Sequence, residues 1–533
     1  MAIVAERAVP SSTRARWRAL PWHDGHPAKL ELESRLDADH LARLFERAVA
    51  ALDTAALRAA YGNTGSPAHC PVRLLAVVLY EIRRGRHSPA QWHRDARECE
   101  PVRWLLRGSV VARSCWYAFR DRLAPLLPAL HQQGLALALQ AELTPATRAA
   151  GDGTLVAANA SRHKVVHRAT LEKRALPLAA AVAADQRQAQ AAATVGTAPP
   201  PPPQTEPAPP GAAVPLDAAA APPAWLARSV AGRQQQQHRL EQARQRLQDL
   251  QRQEQQKWPS KQKKAERIVV SLSDPQAVVG RDKEKVFRPL YNVQVLADLD
   301  SPLVLGYGVF AQQNDSGVLE TLLVQTQQQL GHALDTLLLD GAYASGADLA
   351  VAQRHGVTVY APVPGDGVRE PKQIPKRAFT WLAAEQTYVC PQGHRLHLEE
   401  SWREKRVGGR VQVWRYRCPP QHCQGCPLQP RCTATPASGR AVTRQEHEEL
   451  LEALRARMAT AEAKALYRLR SQNVERVNAD WKEHRKLRRF SGRGLARVTC
   501  EVGLVVLAHN LLTVLTAPQP PRPQPPAAAN PDS

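Results

Sequence analysis

A series of short apolar runs between residues 151 and 363 most constrains what this chain can fold into. GDGTLVAANAS (151–161), YNVQVLAD (291–298), LVLGYGVF (303–310), TLLLDGAYAS (336–345) and VTVYAPV (357–363) each have the length and bounding turn residues of a strand. Helical patterns fall between the later runs, VLETLLVQTQQQLG (318–331) after the third and ADLAVAQRHG (347–356) after the fourth. A further helical stretch runs from about Arg444 to Lys486. The order is three strands, helix, strand, helix, strand, helix. It predicts an α/β fold whose core is a mixed five-stranded sheet, with an interruption after the first strand.

That element order is the order of an RNase H-like domain, with its first strand segment in 149–174 and its continuation in 261–380 and 441–517. The interruption opens where composition collapses. Ala- and Pro-rich sequence over 175–226, including APPPPPQTEPAPPGAAVP, lacks the apolar residues to build a core and is expected to be a disordered linker. RQQQQHRLEQARQRLQDLQRQEQQKW, within 227–260, reads as a polar helix. Its Leu240, Leu247 and Leu250 allow either a short coiled-coil arm or a solvated helix.

Upstream, residues 30–148 are helical in pattern, punctuated by Gly and Pro, after an expected flexible arm at 1–29. Ser88 before Pro89 is a helix start, with Ser as N-cap and Pro in the first turn. The two short helices, turn and basic helix that follow resemble a helix-turn-helix, placing Arg113, Arg120 and Arg122 on or near the last helix. An ordinary helical bundle with solvated arginines shows the same punctuation. The late run VTCEVGLVVLAHNLLTVLTA contains Glu501, His509 and Asn510 and reads as a buried helix rather than a membrane span. Residues 518–533 are expected to be a disordered tail.

Charge narrows the partner. Lys and Arg total 71 against 49 acidic residues, a formal charge of +22. Such a surplus favours a polyanion, most simply nucleic acid. No apolar run near the N-terminus is long enough for a signal peptide, so a soluble cytoplasmic protein is expected. GxxxxGK[ST] is absent, and no nucleotide cofactor is indicated.

Three carboxylates fall at telling places. Asp152 lies in the first strand, Asp340 follows the fourth, and Glu475 sits in the late helical segment. Two divalent ions roughly 3.5–4 Å apart can hold the attacking and leaving oxygens of a phosphodiester in line. Such hard ions want carboxylate oxygens, and the donors must converge from separate elements. A lone Asp after a strand is more often a turn former; the set in this strand order, followed by a basic segment, says more.

GDGTLVAANAS, NDSGVLETLL (314–323), LLLDGAYASGADL and YRLRSQNVERVNADWKEHRKLRRFSGRGLARVTCEVGLVVLAHNLL resemble matching blocks of DDE-type insertion-sequence transposases. CPQGHRL and YRCPPQHCQGCPLQPRC resemble blocks of one branch, whose N-terminal domain the helical region also resembles. The resemblance implies an RNase H-like core with Asp152, Asp340 and Glu475 as Mg²⁺ (or Mn²⁺) ligands. It implies a bacterial, nucleoid-associated enzyme that binds double-stranded DNA at the inverted repeats and at the target, as a homodimer. It also implies DNA cleavage that releases a 3′-hydroxyl, followed by strand transfer.

A related group places Tyr, two residues, Arg, three residues, Glu, six residues, Lys around the glutamate. Glu475 and Lys482 match, as do Tyr467 and Arg470, but four residues separate Arg470 from Glu475. On a continuous helix the extra residue rotates the Tyr-Arg pair by about 100° relative to Glu475. Either a helix begins near Asn473, or Arg468 takes the face. Lys482, two turns after Glu475, is expected to reach a phosphate at the site. His484, Arg485, Lys486, Arg488 and Arg489 continue the basic run and are expected to track the DNA backbone. Glu483 and Glu501 compete with Glu475 for the third place.

Five of nine cysteines cluster between Cys390 and Cys432 in a Cys-rich insertion (381–440). Cys418, Cys423, Cys426 and Cys432 form one set with zinc chemistry, and Cys390 or His394 could replace a member. Reduced thiols in a small folded insertion are the alternative. Cys70, Cys99, Cys115 and Cys500 lie in apolar helical contexts and are expected in the core. The rivals to a transposase are a nuclease on the same fold that never rejoins DNA, a catalytically inactive DNA-binding descendant, and a zinc-bearing RNA scaffold.

Overall fold

The apolar runs pair as their order requires. The computed structural model describes residues 15–194, 222–255, 262–363, 373–406 and 409–518. Contacts divide the chain into two units, Met1–Ala158 with Leu290–Ser533, and Asn159–Pro289.

In the first unit, β1 (Arg148–Ala157) pairs antiparallel with β2 (Phe287–Asp298), and β2 pairs antiparallel with β3 (Val304–Phe310). On its other edge β1 pairs parallel with β4 (Thr336–Leu338), which pairs parallel with β5 (Thr358–Tyr360). The spatial order is therefore β3-β2-β1-β4-β5, a mixed sheet with β1 in the middle, and a further strand, Val278–Arg281, also pairs with β2, so the sheet has six strands where five were expected. β2 is buried almost throughout because both sheet faces are covered.

Among the described residues, eight α-helices precede the sheet: α1 (Pro27–Ser34), α2 (Leu41–Ala50), α3 (Ala55–Ala59), α4 (Pro71–Arg83), α5 (Pro89–Glu98), α6 (Glu100–Leu105), α7 (Arg113–Leu123) and α8 (Leu127–Gln140). Ser88 caps α5 as expected, in a full capping box with Gln91. α5 and α7 meet through Trp92 and Trp116, edge to face at 6.2 Å. Arg113 and Arg122 are exposed on α7, whereas Arg120 is buried against Asp121, so only two of the three arginines face water. The arm expected over 1–29 is corrected for its described part. Arg18 N donates to Ala68 O at 2.9 Å, Trp22 N donates to Arg107 O at 3.0 Å, and α1 already begins at Pro27.

α9 (Leu319–Leu330) and α10 (Gly346–Arg354) follow β3 and β4. Their apolar residues Leu319, Leu322, Leu323 and Leu349 join Ala149, Leu296, Leu305 and Leu337 of the sheet in one core. After β5 comes a five-stranded antiparallel sheet: β6 (Thr380–Leu382), β7 (Thr387–Val389), β8 (Arg395–Arg406), β9 (Gly409–Arg417) and β10 (Ala441–Gln445). Then come α11 (Glu448–Ala459), α12 (Ala461–Ala479), a π-helical turn at Asp480–His484, and α13 (Leu495–Thr516). α13 is long and apolar enough to cross a membrane, yet 72% of its most apolar window is buried, against α4, α8 and β3. Its apolarity is that of a core helix.

In the second unit the structure departs from expectation. The disordered linker was expected from residue 175, but Arg168–Thr194 is one helix, and it pairs with the helix Val230–Gln255. Leu171, Leu178 and Val182 pack on Leu240, Ala243 and Leu247, with Leu250 against them. An Asp185–Arg233 ion pair joins the two helices. Each helix alone is too polar to hold a core; facing each other they bury one shared stripe. Residues 195–221 of the expected linker and 519–533 of the expected tail lie outside the described residues.

Candidate active site

β1 and β4 run parallel with Ala150 opposite Leu338. Asp152 stands two residues further along β1 and Asp340 two residues past the end of β4, so the register carries both aspartates toward the same end of the parallel pair. Carboxyl ends of parallel strands are where ligand groups gather in open sheets. Asp340 leaves the ladder and caps a short 3-10 turn, Gly341–Tyr343, its Oδ1 accepting from Ala342 N at 2.8 Å.

The glycines flanking Asp152 have a steric cause. Gly151 and Gly153 point to the sheet face opposite Asp152. A Cβ on Gly151 would stand 2.5 Å from Leu339 Cδ2, and one on Gly153 would overlap Asp315 Oδ1 and Gln294 Nε2. The face is left bare so that neighbours can close over β1.

α12 covers the other face. Tyr467 donates its hydroxyl proton to Leu339 O at 3.0 Å. Arg470 donates through Nε to Gly151 O at 3.3 Å and through Nη2 to Asp152 Oδ1 at 2.8 Å. Asn478 Nδ2 donates to Asp152 Oδ2 at 2.8 Å. Both oxygens of Asp152 thus have partners, and its side chain is 19% exposed. Burial raises the Tyr467 phenol above its ordinary range; Arg470 opposes the rise, and Asp340 and Asp152 add to it. Both aspartates therefore act on the same phenol.

Glu475 does not join them. α12 is continuous from Ala461 to Ala479, so no helix begins near Asn473, and Arg468 lies exposed instead of taking the face. Tyr467, Arg470 and Asn478 are the α12 side chains that meet the end of the sheet at Asp152 and Leu339, and Glu475 makes no such contact. At about 100° per residue, Glu475 stands about 140° around the helix from Arg470, and Val474 between them points inward. Glu475 is exposed. Among the described residues, no group of three or more His, Cys, Asp or Glu side chains is arranged to hold a metal ion.

The basic run beyond α12 divides in two. Lys482 lies half-buried in the π-helical turn, so the two-turn spacing of a regular helix does not carry across to it. Arg485 is 5% exposed, donating to Arg83 O at 3.0 Å and pairing with Asp480 at 3.0 Å. It is a structural residue, which corrects its expected place on DNA. Arg488 and Arg489 are exposed, Arg488 paired with Glu483. Their backbone is pinned beside the end of β1, with Ala157 N donating to Arg488 O at 3.2 Å and Phe490 N to Ala157 O at 2.9 Å. His484 and Lys486 are exposed.

Neither rival carboxylate replaces Glu475. Glu483 is engaged at the surface with Arg488. Glu501 is buried and accepts from Ser491 N at 3.0 Å, Ser491 Oγ at 2.9 Å and Gly492 N at 3.2 Å. It clamps the loop before α13.

In the Cys-rich segment the small sheet's core contains Phe379, Tyr388, Leu396, Tyr416, Val442, Cys418 and Cys423, with Cys390 and Cys432 packed against it. Burial, then Cys423, Cys390 and Cys432, push the Cys418 thiol up to about 12. His394 N donates to Cys390 Sγ and Arg440 N to Cys423 Sγ, each at 3.4 Å. Cys426 is not part of this core but lies close enough to Cys432 to act on its thiol, so Cys390 joins the neighbourhood of the expected Cys418, Cys423, Cys426 and Cys432. These thiols are neighbours without closing to metal-holding geometry. Cys500 is buried as expected, while Cys70, Cys99 and Cys115 are half-buried.

Asn478, which contacts Asp152, and the Gln294, Asn292, Tyr343 and Asp315 network on the opposite face of β1 were missed from the sequence. The signal for two of them was present: Asn292 and Gln294 alternate within an apolar strand, so both face one side of a buried sheet.

Residues 389–515 match the family described as Transposase DDE domain. The matched segment contains Glu475, the cysteines and α11 to α13, and begins after Asp152 and Asp340. No curated protein matches the chain.

Proposed function

We propose that this chain, a DDE-type transposase by the domain it carries at residues 389–515, binds the terminal inverted repeats of an insertion sequence and cuts and rejoins DNA there. The observation that carries the reading is the β1–β4 register, Ala150 opposite Leu338, which supports Asp152 and Asp340 as a pair near the end of β4. The order β3-β2-β1-β4-β5 supports an RNase H-like core, and the net charge of +22 supports a DNA partner. Such a protein would work in the cytoplasm at the nucleoid, with two protomers pairing two ends.

The residues fit a divalent cofactor in part. Asp152 and Asp340 offer hard oxygen donors suited to Mg²⁺ or Mn²⁺, and Glu475 in this arrangement does not complete the set. When bound, such an ion supplies an activated water or hydroxyl and charge stabilisation at the phosphate. Arg470 and Tyr467 lie where a scissile phosphate would approach Asp152, and Arg470 is the cation that can exchange a carboxylate for a phosphate oxygen. Lys482, Arg488 and Arg489 would position the backbone. Helices α5 to α7 are proposed as the end-binding part, with Arg113 and Arg122 outward. Zinc is proposed for Cys390, Cys418, Cys423 and Cys432, whose all-sulfur donor set matches a structural site.

One observation favours a second reading, a catalytically inactive DNA-binding descendant: Glu475 is exposed, and among the described residues no three carboxylates are arranged to hold a metal ion. The deciding experiment incubates the protein with a labelled duplex carrying the element's own end, target plasmid and Mg²⁺. Cut ends joined to target support the transposase. Cut ends never joined indicate a nuclease, and tight end binding without cutting in Mg²⁺ or Mn²⁺ indicates the inactive descendant.

A further inference from the structure

Asp340 is the less supported of the two aspartates. The last cross-strand bond on β4 is Leu339 N to Tyr360 O at 2.9 Å, and Asp340 follows it as the cap of a three-residue 3-10 turn that bonds only within itself. A carboxylate meant to share an ion with Asp152 must nevertheless keep its position to within a fraction of an ångström.

Tyr343 ends that turn, and its ring is 1% exposed in the core on the face of β1 opposite Asp152. Its hydroxyl donates to Gln294 Oε1. Gln294 lies on β2, opposite Gly153, so the phenol reaches from the β4 side across β1 to the next strand. It can do so because Gly151 and Gly153 present no side chains there. The Gln294 amide is oriented by its other end, whose Nε2 donates to Asp315 Oδ1 at 2.5 Å and to Asn292 Oδ1 at 2.9 Å. Asn292 Nδ2 donates to the same Asp315 Oδ1 at 2.7 Å and to Asn314 O at 3.1 Å. With its nitrogen committed to two oxygens, Gln294 can present only its carbonyl to Tyr343. Asn292 and Gln294 are 1% and 0% exposed, so each bond is made in a dry interior where an unmade one is costly.

We propose that Tyr343, Gln294 and Asp315 form a positioning truss that fixes Asp340 beside Asp152 for divalent-ion binding. The inference rests on the reading of Asp152 and Asp340 as metal ligands. Asp315 anchors the truss through the loop before α9, Gln294 transmits it across β2, and Tyr343 delivers it to the turn. None of the three is a metal ligand; they act through Asp340, as partners behind metal ligands do elsewhere, where their loss weakens metal affinity by roughly 10–100-fold.

The test measures Mn²⁺ bound to the purified full-length protein by electron paramagnetic resonance, beside Mg²⁺-dependent end cleavage. Tyr343→Phe removes only the hydroxyl, and Asp315→Asn removes the anchor's charge. Each is expected to weaken Mn²⁺ binding by roughly tenfold or more and to raise the Mg²⁺ needed for half-maximal cleavage in parallel. The double variant should be no worse than the stronger single one, because both cut one truss. Unchanged Mn²⁺ affinity in either folded variant, with only a lower urea midpoint, would overturn the proposal and leave the network a purely structural one. Asp340→Asn separates the two failures. If it binds Mn²⁺ and cuts like the unaltered protein, the reading of the site fails; if it loses both while Tyr343→Phe and Asp315→Asn lose neither, only the truss fails.

Discussion

Gly153→Ala is the substitution on which the steric reading of β1 depends most. The added Cβ would overlap Asp315 Oδ1 and Gln294 Nε2 and stand 2.9 Å from Asp315 Cγ. Ordinary carbon contacts begin near 3.5 Å, so Asp315 and Gln294 would have to retreat by roughly an ångström. That movement overpacks a closed interior at about 1–3 kcal/mol. It also breaks the amide bonds to Asp315 Oδ1, bonds to a charged acceptor worth about 1.5–3 kcal/mol. Together the expected loss is about 3–5 kcal/mol, read from the urea midpoint by tryptophan fluorescence. Gly331→Ala is the control, because Gly331 has φ +79° and nothing within 4 Å of an added Cβ. Its cost is backbone strain alone, about 1–2 kcal/mol. If Gly153→Ala proves no more destabilising than Gly331→Ala, the neighbours do not close over β1 and the reasoning is wrong.

Arg485→Ala should cost about 3–5 kcal/mol of stability, because it leaves Asp480 without its buried partner, whereas Arg489→Ala should leave the urea midpoint unchanged and lower the salt slope of DNA binding by about one. The reverse pattern would return Arg485 to the DNA. Glu81 is buried and accepts from Arg84 Nη1 at 3.0 Å, and burial first, then the neighbouring Asp95 carboxyl, raise it to about 8 against the pull of Arg84 and Arg86. The folded state therefore holds a proton that the unfolded chain releases near 4.5. The associated stability is full below that pH and is lost as pH rises toward 8. Glu81→Gln should flatten the fall in urea midpoint between pH 5 and 8, and an unaltered slope would contradict the assignment. Metal analysis of the purified chain should find about one zinc, lost in Cys390→Ser and Cys418→Ser and kept in Cys426→Ser. Zinc absent from the unaltered chain, or lost equally from Cys426→Ser, would contradict that set.

The sheet was legible because its strands are buried on both faces and so read as uninterrupted apolar runs, from YNVQVLAD to LVLGYGVF. Strand order suggested Asp152 and Asp340 as a pair, since parallel neighbours in register carry residues at the same height. Glu475 shows where such reasoning stops. The spacing revealed the extra residue, but which side chain would keep the face depended on packing. Tyr467 and Arg470 found partners on Leu339, Gly151 and Asp152, and the helix turned to suit them. The helix at Arg168–Thr194 was hidden for a related reason. Its Ala-rich sequence favours helix, but Leu171, Leu178 and Val182 gain a core only from residues some 60 positions later. Arg485 lay within a basic run that looks like one exposed face, and only the π-helical turn turns it inward.

The central claim is that Asp152 and Asp340 together form a metal-dependent DNA-cutting site. The most direct measurement is Mg²⁺-dependent cutting of an end-bearing duplex by Asp152→Ala, Asp340→Ala and Glu475→Ala, with end binding followed in parallel. The account predicts that cutting disappears in both aspartate variants while binding survives. Cutting that persists in either aspartate variant would contradict it.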